Sequence, residues 1–422
     1  MADSGSTTLD HSEPINPPAE STSSSPKELP TRLLVVQICL GILYGFRPIE
    51  PFLVPYFIEH SMTMDDLNNV VFPVGGYSNL AFLCILAFLS IITSNKVLLG
   101  LGWVGYFGCY LSMVFVNGVV VGIIIEVFYG LSLASETVYF VILYAFAPEL
   151  VFGKVATISR ATLLASHALS EVVGQLFVSF IPGFNMLVLA IITAVSTIGS
   201  IIPIILMPKV KVSRSHITCD AYRKDLCKVW GGGFARCPSL YAGIVLLSAH
   251  TMYQNYITNL LYDLTDTEPL NGVFILLGRL SGVVGSVIAM FLPRLKRLDL
   301  FILLSLPVLG IIAVLPLFVT QQWQLFILNA IEFFWAELAI AGMFTQLALS
   351  CNGELYLALF LCQAILVSGF VMLVQGTLFG PLEPKIPGLS SNRSHHLWLG
   401  VFCALGTIAT IPPTVISLKS QP

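Results

Sequence analysis

The sequence predicts an all-α polytopic membrane protein, and three observations carry that prediction: its composition, its count of long apolar runs, and the placement of its basic residues. Of 422 residues, 56% are hydrophobic and only 10% are charged, against roughly 25% charged in average soluble proteins. A soluble domain so poor in charge could not cover its own surface, which excludes an ordinary cytosolic or secreted enzyme and a disordered chain. The formal net charge of −3 leaves no basic footprint for nucleic acid.

A helix crossing the bilayer core needs about 20 apolar residues at 1.5 Å each. Twelve runs qualify: 33–58, 70–93, 97–116, 118–147, 155–181, 184–207, 238–263, 269–292, 299–319, 323–349, 354–379 and 396–418. Residues 1–31 are rich in Ser, Thr and Pro and hold no apolar stretch, so they read as a disordered cytoplasmic tail without a secretory signal, and the first run as a retained transmembrane helix. The expected organisation is a six-helix half over 32–207, a basic cytoplasmic loop over 208–237, a second six-helix half over 238–418, and a short cytoplasmic tail over 419–422.

Basic residues set the orientation. With the N-terminus inside, Lys96, Lys154, Lys209, Lys211, Arg214, Arg223, Lys224, Lys228, Arg236, Arg294, Lys296 and Arg297 all fall on the cytoplasmic side. The opposite connections hold Lys385 and Arg393, the acidic Asp65, Asp66, Asp263, Asp266 and Glu268, and the single sequon Asn392-Arg393-Ser394, a glycosylation acceptor if exposed outside. Two halves of six helices joined by a basic cytoplasmic loop is the layout of the major facilitator fold, whose substrate site lies between the halves near the membrane midplane. Small residues at helix-contact spacing, Gly102, Gly105 and Gly108 and the pair Gly278 and Gly282, fit close helix packing. Nine cysteines lie mostly in apolar runs with no CxxC pair; Cys219, Cys227 and Cys237 share the basic loop at gaps matching no common zinc pattern. They read as free thiols in a reducing compartment.

An ionisable side chain near the bilayer centre costs about 2.5–3.5 kcal/mol on insertion scales and marks a pathway or a partner. The first span carries Arg47 and Glu50 three apart, on one face, among Pro48, Pro51 and Pro55. These prolines remove backbone donors and should bend the helix. The pair reads either as an internal ion pair or as part of a substrate site. The fourth span carries Glu126 and Glu136, with Tyr129 and Tyr139 on the Glu136 face. A carboxylate between aromatic rings suits an organic cation; a structural glutamate bonded to a neighbouring helix is the alternative. The fifth span aligns Arg160, His167 and Glu171: Arg160 reads as an anchor or gate, and His167 with Glu171 as a proton relay or as packing. The seventh offers His250, Tyr253, Gln254, Asn255 and Asn259 as a polar face for a heterocycle, and the eighth Arg279. Glu332 and Glu337 in the tenth, five apart, are expected on different faces.

GxxxxGK[ST], HExxH and GxSxG are absent, which argues against ATP-driven pumping, metalloprotease chemistry and serine hydrolysis. His60 and Asp65 form an isolated HxxxxD pair without any other acyltransferase feature. No catalytic residue, metal site or cofactor is expected.

Several segments carry a family resemblance. Arg47-Pro48-Ile49-Glu50-Pro51-Phe52-Leu53-Val54-Pro55-Tyr56 and Pro73-Val74-Gly75-Gly76-Tyr77-Ser78 resemble the first two helices of the reduced folate carrier and thiamine transporter family (solute carrier family 19). Glu126-Val127-Phe128-Tyr129-Gly130, Ser159-Arg160-Ala161, Val173-Gly174-Gln175-Leu176, Tyr253-Gln254-Asn255-Tyr256 and the run from Gln346 to Leu355 add to it, over nearly all of 33–418. The resemblance implies a major facilitator fold in the plasma membrane moving a water-soluble vitamin without ATP, with a proton or counter-anion as coupling partner. Its folate members carry an arginine at the position of Glu136 and its thiamine members a glutamate; the folate members' lysine and arginine would fall near Val371 and Phe333. Glu171, Glu332, Glu337, His167 and His250 match no family feature, so the chain reads as a divergent member. The resulting expectation is thiamine transport by alternating access: Glu136, Glu50, Arg47, Tyr129, Tyr139, Tyr253, Gln254 and Asn255 bind substrate, and Glu126, Arg160, His167, Glu171 and Arg279 couple or gate. A folate transporter using Arg47 and Arg279, or a non-transporting vitamin receptor, are the alternatives.

Overall fold

The computed structural model describes residues 29–209, 238–264, 270–292, 297–349, 356–377, 386, 387 and 389–420. Outside the described residues lie residues 1–28 of the N-terminal tail, 210–237 of the basic loop with its three cysteines, Cys351, residues 421 and 422, and the charged Asp266, Glu268, Arg294, Lys296 and Lys385.

Among the described residues, twelve helical segments follow one another: α1 (Thr31–Glu59), α2 (Met64–Ile92), α3 (Asn95–Val114), α4 (Gly118–Ala145), α5 (Glu149–Phe180), α6 (Leu187–Leu206), α7 (Pro238–Asp263), α8 (Asn271–Ala289), α9 (Leu298–Phe318), α10 (Gln322–Leu349), α11 (Tyr356–Thr377) and α12 (Ser391–Ser420). Eleven are long and apolar enough to cross a membrane. The other, α7, has sufficient length at 26 residues; the polar His250, Gln254, Asn255 and Asn259 lower its hydropathy. The expected boundaries hold to within five residues, except that α5 begins six residues earlier, and so does α2. There Thr63 caps the helix, its hydroxyl accepting from the Asp66 amide while the Asp66 carboxylate accepts from the Thr63 amide.

The bend expected from the prolines is a break. Regular helix in α1 stops at Gly45; Phe46 turns out of it at φ −82° and ψ 86°, and a tight turn over Glu50–Phe52 restarts the helix at Leu53–Glu59. Pro48 and Pro51 donate no backbone hydrogen bond, so the chain cannot wind through this stretch, and irregular backbone inside a membrane is tolerated where protein surrounds it. Gly45 sits immediately before the break, where a side-chain carbon would fall 2.8 Å from the Leu163 carbonyl oxygen. Its lack of one lets α1 lie against α5.

In the first half, α3 packs on α4 and α6, α2 on α4, and α1 on α5; in the second, α8 packs on α10, and α9 and α7 on α12. The halves meet chiefly where α5 crosses α8 and α10 and where α2 crosses α11. The glycine stripes lie in these contacts. A side-chain carbon at Gly105 would fall 2.7 Å from the Ser132 amide nitrogen, so α3 and α4 touch backbone to backbone.

At the end of the bundle carrying the α4–α5 and α10–α11 connections, the halves close on an aromatic layer. Tyr144 and Phe152 meet Tyr356 and Phe360 at ring separations of 5.6–6.0 Å, and Phe344 meets Phe360 at 5.1 Å. Lys96, at the same end, donates to the Ile205 carbonyl at the C-terminal end of α6. At the opposite end Arg393 donates to the carbonyls of Leu317 and Val319 at 2.9 and 2.8 Å, capping α9.

Candidate functional site

The break in α1 places Arg47 at the centre of a polar network. The Arg47 guanidinium is 3% exposed and pairs with Glu50 at 2.8 Å. It donates to the Tyr106 hydroxyl at 3.2 Å and, through its other terminal nitrogen, to Nε2 of His167 at 2.6 Å. The imidazole, accepting on Nε2, is therefore neutral. The Tyr106 hydroxyl donates in turn to Glu136 Oε2 at 3.0 Å, and Tyr110 donates to Glu50 Oε1 at 3.1 Å. Tyr106 and Tyr110, one turn apart on α3, stack in parallel at 6.3 Å, with the guanidinium 5.0 Å above the Tyr106 ring. Tyr129 stands among Arg47, Glu50, Glu126 and Glu136. Glu50 and Glu136 remain partly exposed although both lie on interior faces of the bundle.

A second polar region joins the halves. Arg160 of α5 binds Glu337 of α10 through two parallel bonds of 2.6 and 2.7 Å, a geometry that fixes both planes. The guanidinium also lies 5.0 Å from the Phe140 ring and 5.3 Å from the Phe344 ring. Closer to the first network, Arg279 of α8 faces Glu171 of α5 at 3.7 Å and the Phe333 ring at 5.3 Å. Thr157 donates to the Ser286 carbonyl at 2.9 Å, and the Gly272 amide to the Gln175 side chain at 3.1 Å.

Glu332 and Glu337, expected on different faces, both reach His250. Its Nδ1 lies 2.8 Å from Glu332 Oε1 and its Nε2 lies 3.8 Å from Glu337 Oε1. Five residues turn a helix by about 140°, but an imidazole standing between the two carboxylates meets each with a different ring nitrogen. Gln254, one turn along α7, contacts His250 Nε2.

Other expected residues are placed differently from the polar centre. Tyr139 is fully buried, its hydroxyl donating to the Ser159 carbonyl at 3.0 Å and pressed against Gly41; it ties α4 to α1 and α5. Tyr253 is 1% exposed with its ring on His396 of α12, while Gln254 is partly exposed and Asn255 exposed. Glu126 is 6% exposed and lies against Gly75 of α2. His167 bonds Arg47 and Glu171 faces Arg279, and each lies within electrostatic reach of the other's arginine. Asn392 begins α12 with its amide donating to Asp263 at 2.9 Å, and Ser394 is buried. Tyr106 and Tyr110 were not singled out in the sequence. Their signal was a pair of tyrosines one turn apart beside the α3 glycine stripe.

Among the described residues, no group of three or more His, Cys, Asp or Glu is placed to hold a metal. Four carboxylates have a basic partner: Glu50 with Arg47, Glu171 with Arg279, Glu337 with Arg160 and Glu332 with His250. Glu136 meets a phenol.

Comparison with known proteins agrees with this architecture. A structure of FucP, a major facilitator superfamily transporter, aligns with a TM-score of 0.63 at 14% identity, covering 92% of this chain and 99% of that one; the likeness establishes the fold. Human thiamine transporter 1 is 27% identical over 209 residues, covering 49% of this chain and 41% of that protein. Folate-like transporter 2 of Caenorhabditis elegans is 32% identical over 149 residues, covering 34% of this chain and 35% of that protein. The chain thus spans well under half the length of these relatives. The reduced folate carrier family model matches residues 31–216 and 211–381. That match takes in most of the chain, which is a multi-pass membrane protein belonging to the reduced folate carrier family.

Proposed function

We propose that this protein moves a water-soluble vitamin across the plasma membrane by alternating access of its two halves, and that the vitamin is the cation thiamine. One observation carries the choice of a cation. Glu136 is a partly exposed carboxylate on an interior face, held by the Tyr106 hydroxyl and lacking a basic partner among the described residues, whereas Glu50, Glu171 and Glu337 each face an arginine and Glu332 a histidine. An uncompensated carboxylate in a membrane interior favours a cationic ligand that supplies the missing charge. A folate, bringing two carboxylates, would need free cations, and both Arg47 and Arg279 already face glutamates.

In this reading Glu136 pairs with the vitamin's cationic part. Tyr129 offers a ring face, Gln254 and Asn255 add hydrogen bonds from the opposite half, and Arg47 with Glu50 sets the local field. Tyr139 and Tyr253 act from behind as packing supports. Arg160–Glu337 and Arg279–Glu171 hold the halves together in the observed state and separate as they exchange. Glu126, buried against Gly75 without a basic partner, and His167, bonded to Arg47, are the groups in the first half able to follow a coupling proton. The termini face the cytoplasm, from the placement of the basic residues, and Asn392 is a glycosylation acceptor before the first turn of α12 folds.

The test is parallel uptake of labelled thiamine and labelled folate by cells lacking their own carriers, with Glu136→Gln beside the wild type. Thiamine uptake that collapses in the variant is the expected result. Folate uptake with thiamine ignored overturns the cation site in favour of Arg47 and Arg279. Ligand binding at the cell surface without uptake of either would make the protein a receptor.

A further inference from the structure

We infer that Arg279 and Glu171 form the end of the substrate site that accepts an uncharged oxygen of the vitamin and turns away its phosphate ester, Arg279 supplying hydrogen-bond donors and Glu171 cancelling its charge. This rests on the cation site at Glu136 and adds what the far end of the ligand must be. The arginines that face glutamates are not equivalent. Arg160 holds Glu337 through two bonds of 2.6 and 2.7 Å, and Arg47 holds Glu50 at 2.8 Å and bonds Tyr106 and His167 besides. Arg279 meets Glu171 at 3.7 Å, beyond hydrogen-bond reach. Its side chain is 22% exposed, against 10% for Arg160 and 3% for Arg47. Among the described residues, Arg279 Nε and Glu171 Oε2 are both buried without a hydrogen-bond partner. The pair is balanced in charge and unsatisfied in hydrogen bonds. Phe333 fixes it in that state: the guanidinium lies 5.3 Å from the ring centre, and a side-chain carbon at Gly278 would fall 2.7 Å from the same ring, so the ring is pressed onto α8.

The pair adjoins the first network. Glu171 lies one turn from His167 on α5 and within electrostatic reach of Glu50 and Arg47. From Arg47 the bonds run through Tyr106 to Glu136, and α8 packs against the Glu50–Phe52 turn of α1. A ligand with its cationic part on Glu136 and its other end on Arg279 therefore touches both halves. Charge decides which oxygen that end carries. Arg47 with Glu50 and Arg279 with Glu171 each sum to zero, His167 is neutral, and Glu136 leaves one negative charge. Glu126, buried against Gly75, brings no cation. A ligand of net charge +1 closes the balance. Thiamine carries that charge on its thiazolium ring and ends in a hydroxyethyl group, whose oxygen accepts from the guanidinium and relieves an unpaired donor. Its monophosphate places about two negative charges at that end, beside Glu171 and without a free cation, an arrangement that like-charge repulsion opposes.

The experiment is displacement of labelled thiamine from the full chain in lipid nanodiscs. The competitors are thiamine, thiamine monophosphate and the analogue with ethyl in place of hydroxyethyl. The wild type should bind the monophosphate at least about tenfold more weakly than thiamine, and the ethyl analogue about fivefold more weakly, the size of one hydrogen bond. Glu171→Gln releases the charge of Arg279 and should narrow the gap to the monophosphate by about fivefold or more, a gain that a damaged fold cannot imitate. Glu171→Asp keeps the wild-type preference. Adding Arg279→Gln to Glu171→Gln removes the gain, and Arg279→Gln alone makes thiamine and the ethyl analogue equivalent. A wild type that binds the monophosphate as well as thiamine, or a preference unmoved by Glu171→Gln while thiamine binding still needs Glu136, overturns this inference alone. Thiamine binding that is absent, or unmoved by Glu136→Gln, overturns the cation site and this inference with it.

Discussion

The network around Arg47 and the contact around Arg160 are assembled from the same residue types and do opposite work. Both place an arginine beside a glutamate and an aromatic ring in the membrane interior. Arg160 is bidentate, fixed to one carboxylate and enclosed by Phe140 and Phe344 on separate helices. Arg47 is divided among Glu50, Tyr106 and His167, and through Tyr106 it reaches Glu136. The first arrangement saturates every charge and binds two halves together. The second leaves one carboxylate partly exposed and uncompensated. Here the carboxylate with its cation beside it ties the halves together, and the partly exposed one without a cation is the proposed place for a ligand.

The largest effect should come from breaking the saturated contact. Arg160→Met strands Glu337, which is 2% exposed, and removing one partner of a buried pair costs about 3–5 kcal/mol. Thermal unfolding in nanodiscs should show a marked drop in Tm, largely restored in Arg160→Met with Glu337→Gln. If the single variant is as stable as the wild type, the contact does not hold the halves.

Glu136→Gln should behave in the opposite way. Its amide oxygen still accepts from Tyr106, so Tm changes little while thiamine uptake falls at least about tenfold, equivalent to about 1.4 kcal/mol of lost binding. A variant that unfolds instead would move Glu136 into the structural class. Tyr106→Phe is intermediate: it removes the link between Glu136 and Arg47 at about 1 kcal/mol for one hydrogen bond, and should raise the uptake KM several-fold with a smaller change in maximal rate. Uptake kinetics unchanged by that substitution would separate the two ends of the network. The smallest effect is expected at Asn392→Gln, within about 0.5 kcal/mol in stability, read together with loss of a glycosidase-sensitive shift in gel mobility. The absence of any shift in the wild type would mean that the turn at Ser391–Ser394 folds before sugar is added.

Much of the molecule was legible as sequence because the bilayer restricts the choices. Backbone groups in hydrocarbon must be bonded within a helix, so apolar run length was enough to find the helices, including α7 with its polar stripe. Pro48 and Pro51 foretold a bend where α1 in fact breaks, since a missing donor is a property of the residue itself. The Arg47–Glu50 pair was legible for a similar reason, both groups lying on one short segment. Glu136 stood out as a candidate cation site from its aromatic neighbours, of which Tyr139 turns into a helix contact.

What tertiary structure alone decided is which charge meets which. Helical spacing places a side chain on a face of its own helix and says nothing of the partner helix. Arg160 therefore met Glu337, 177 residues away, and Glu332 and Glu337, read as facing apart, converged on one histidine. Tyr139 and Tyr253 share faces with site residues but turn into helix contacts, whereas Tyr106 and Tyr110 carry bonds that no motif announced. The sequence by itself determined the helices, their order and the kinked first span, because these follow from local backbone chemistry and hydrophobicity. The packing of α5 against α8 and α10 determined that Glu171 meets Arg279 and Glu337 meets Arg160, because in a low-dielectric interior a charge is defined by the neighbour that the fold brings to it.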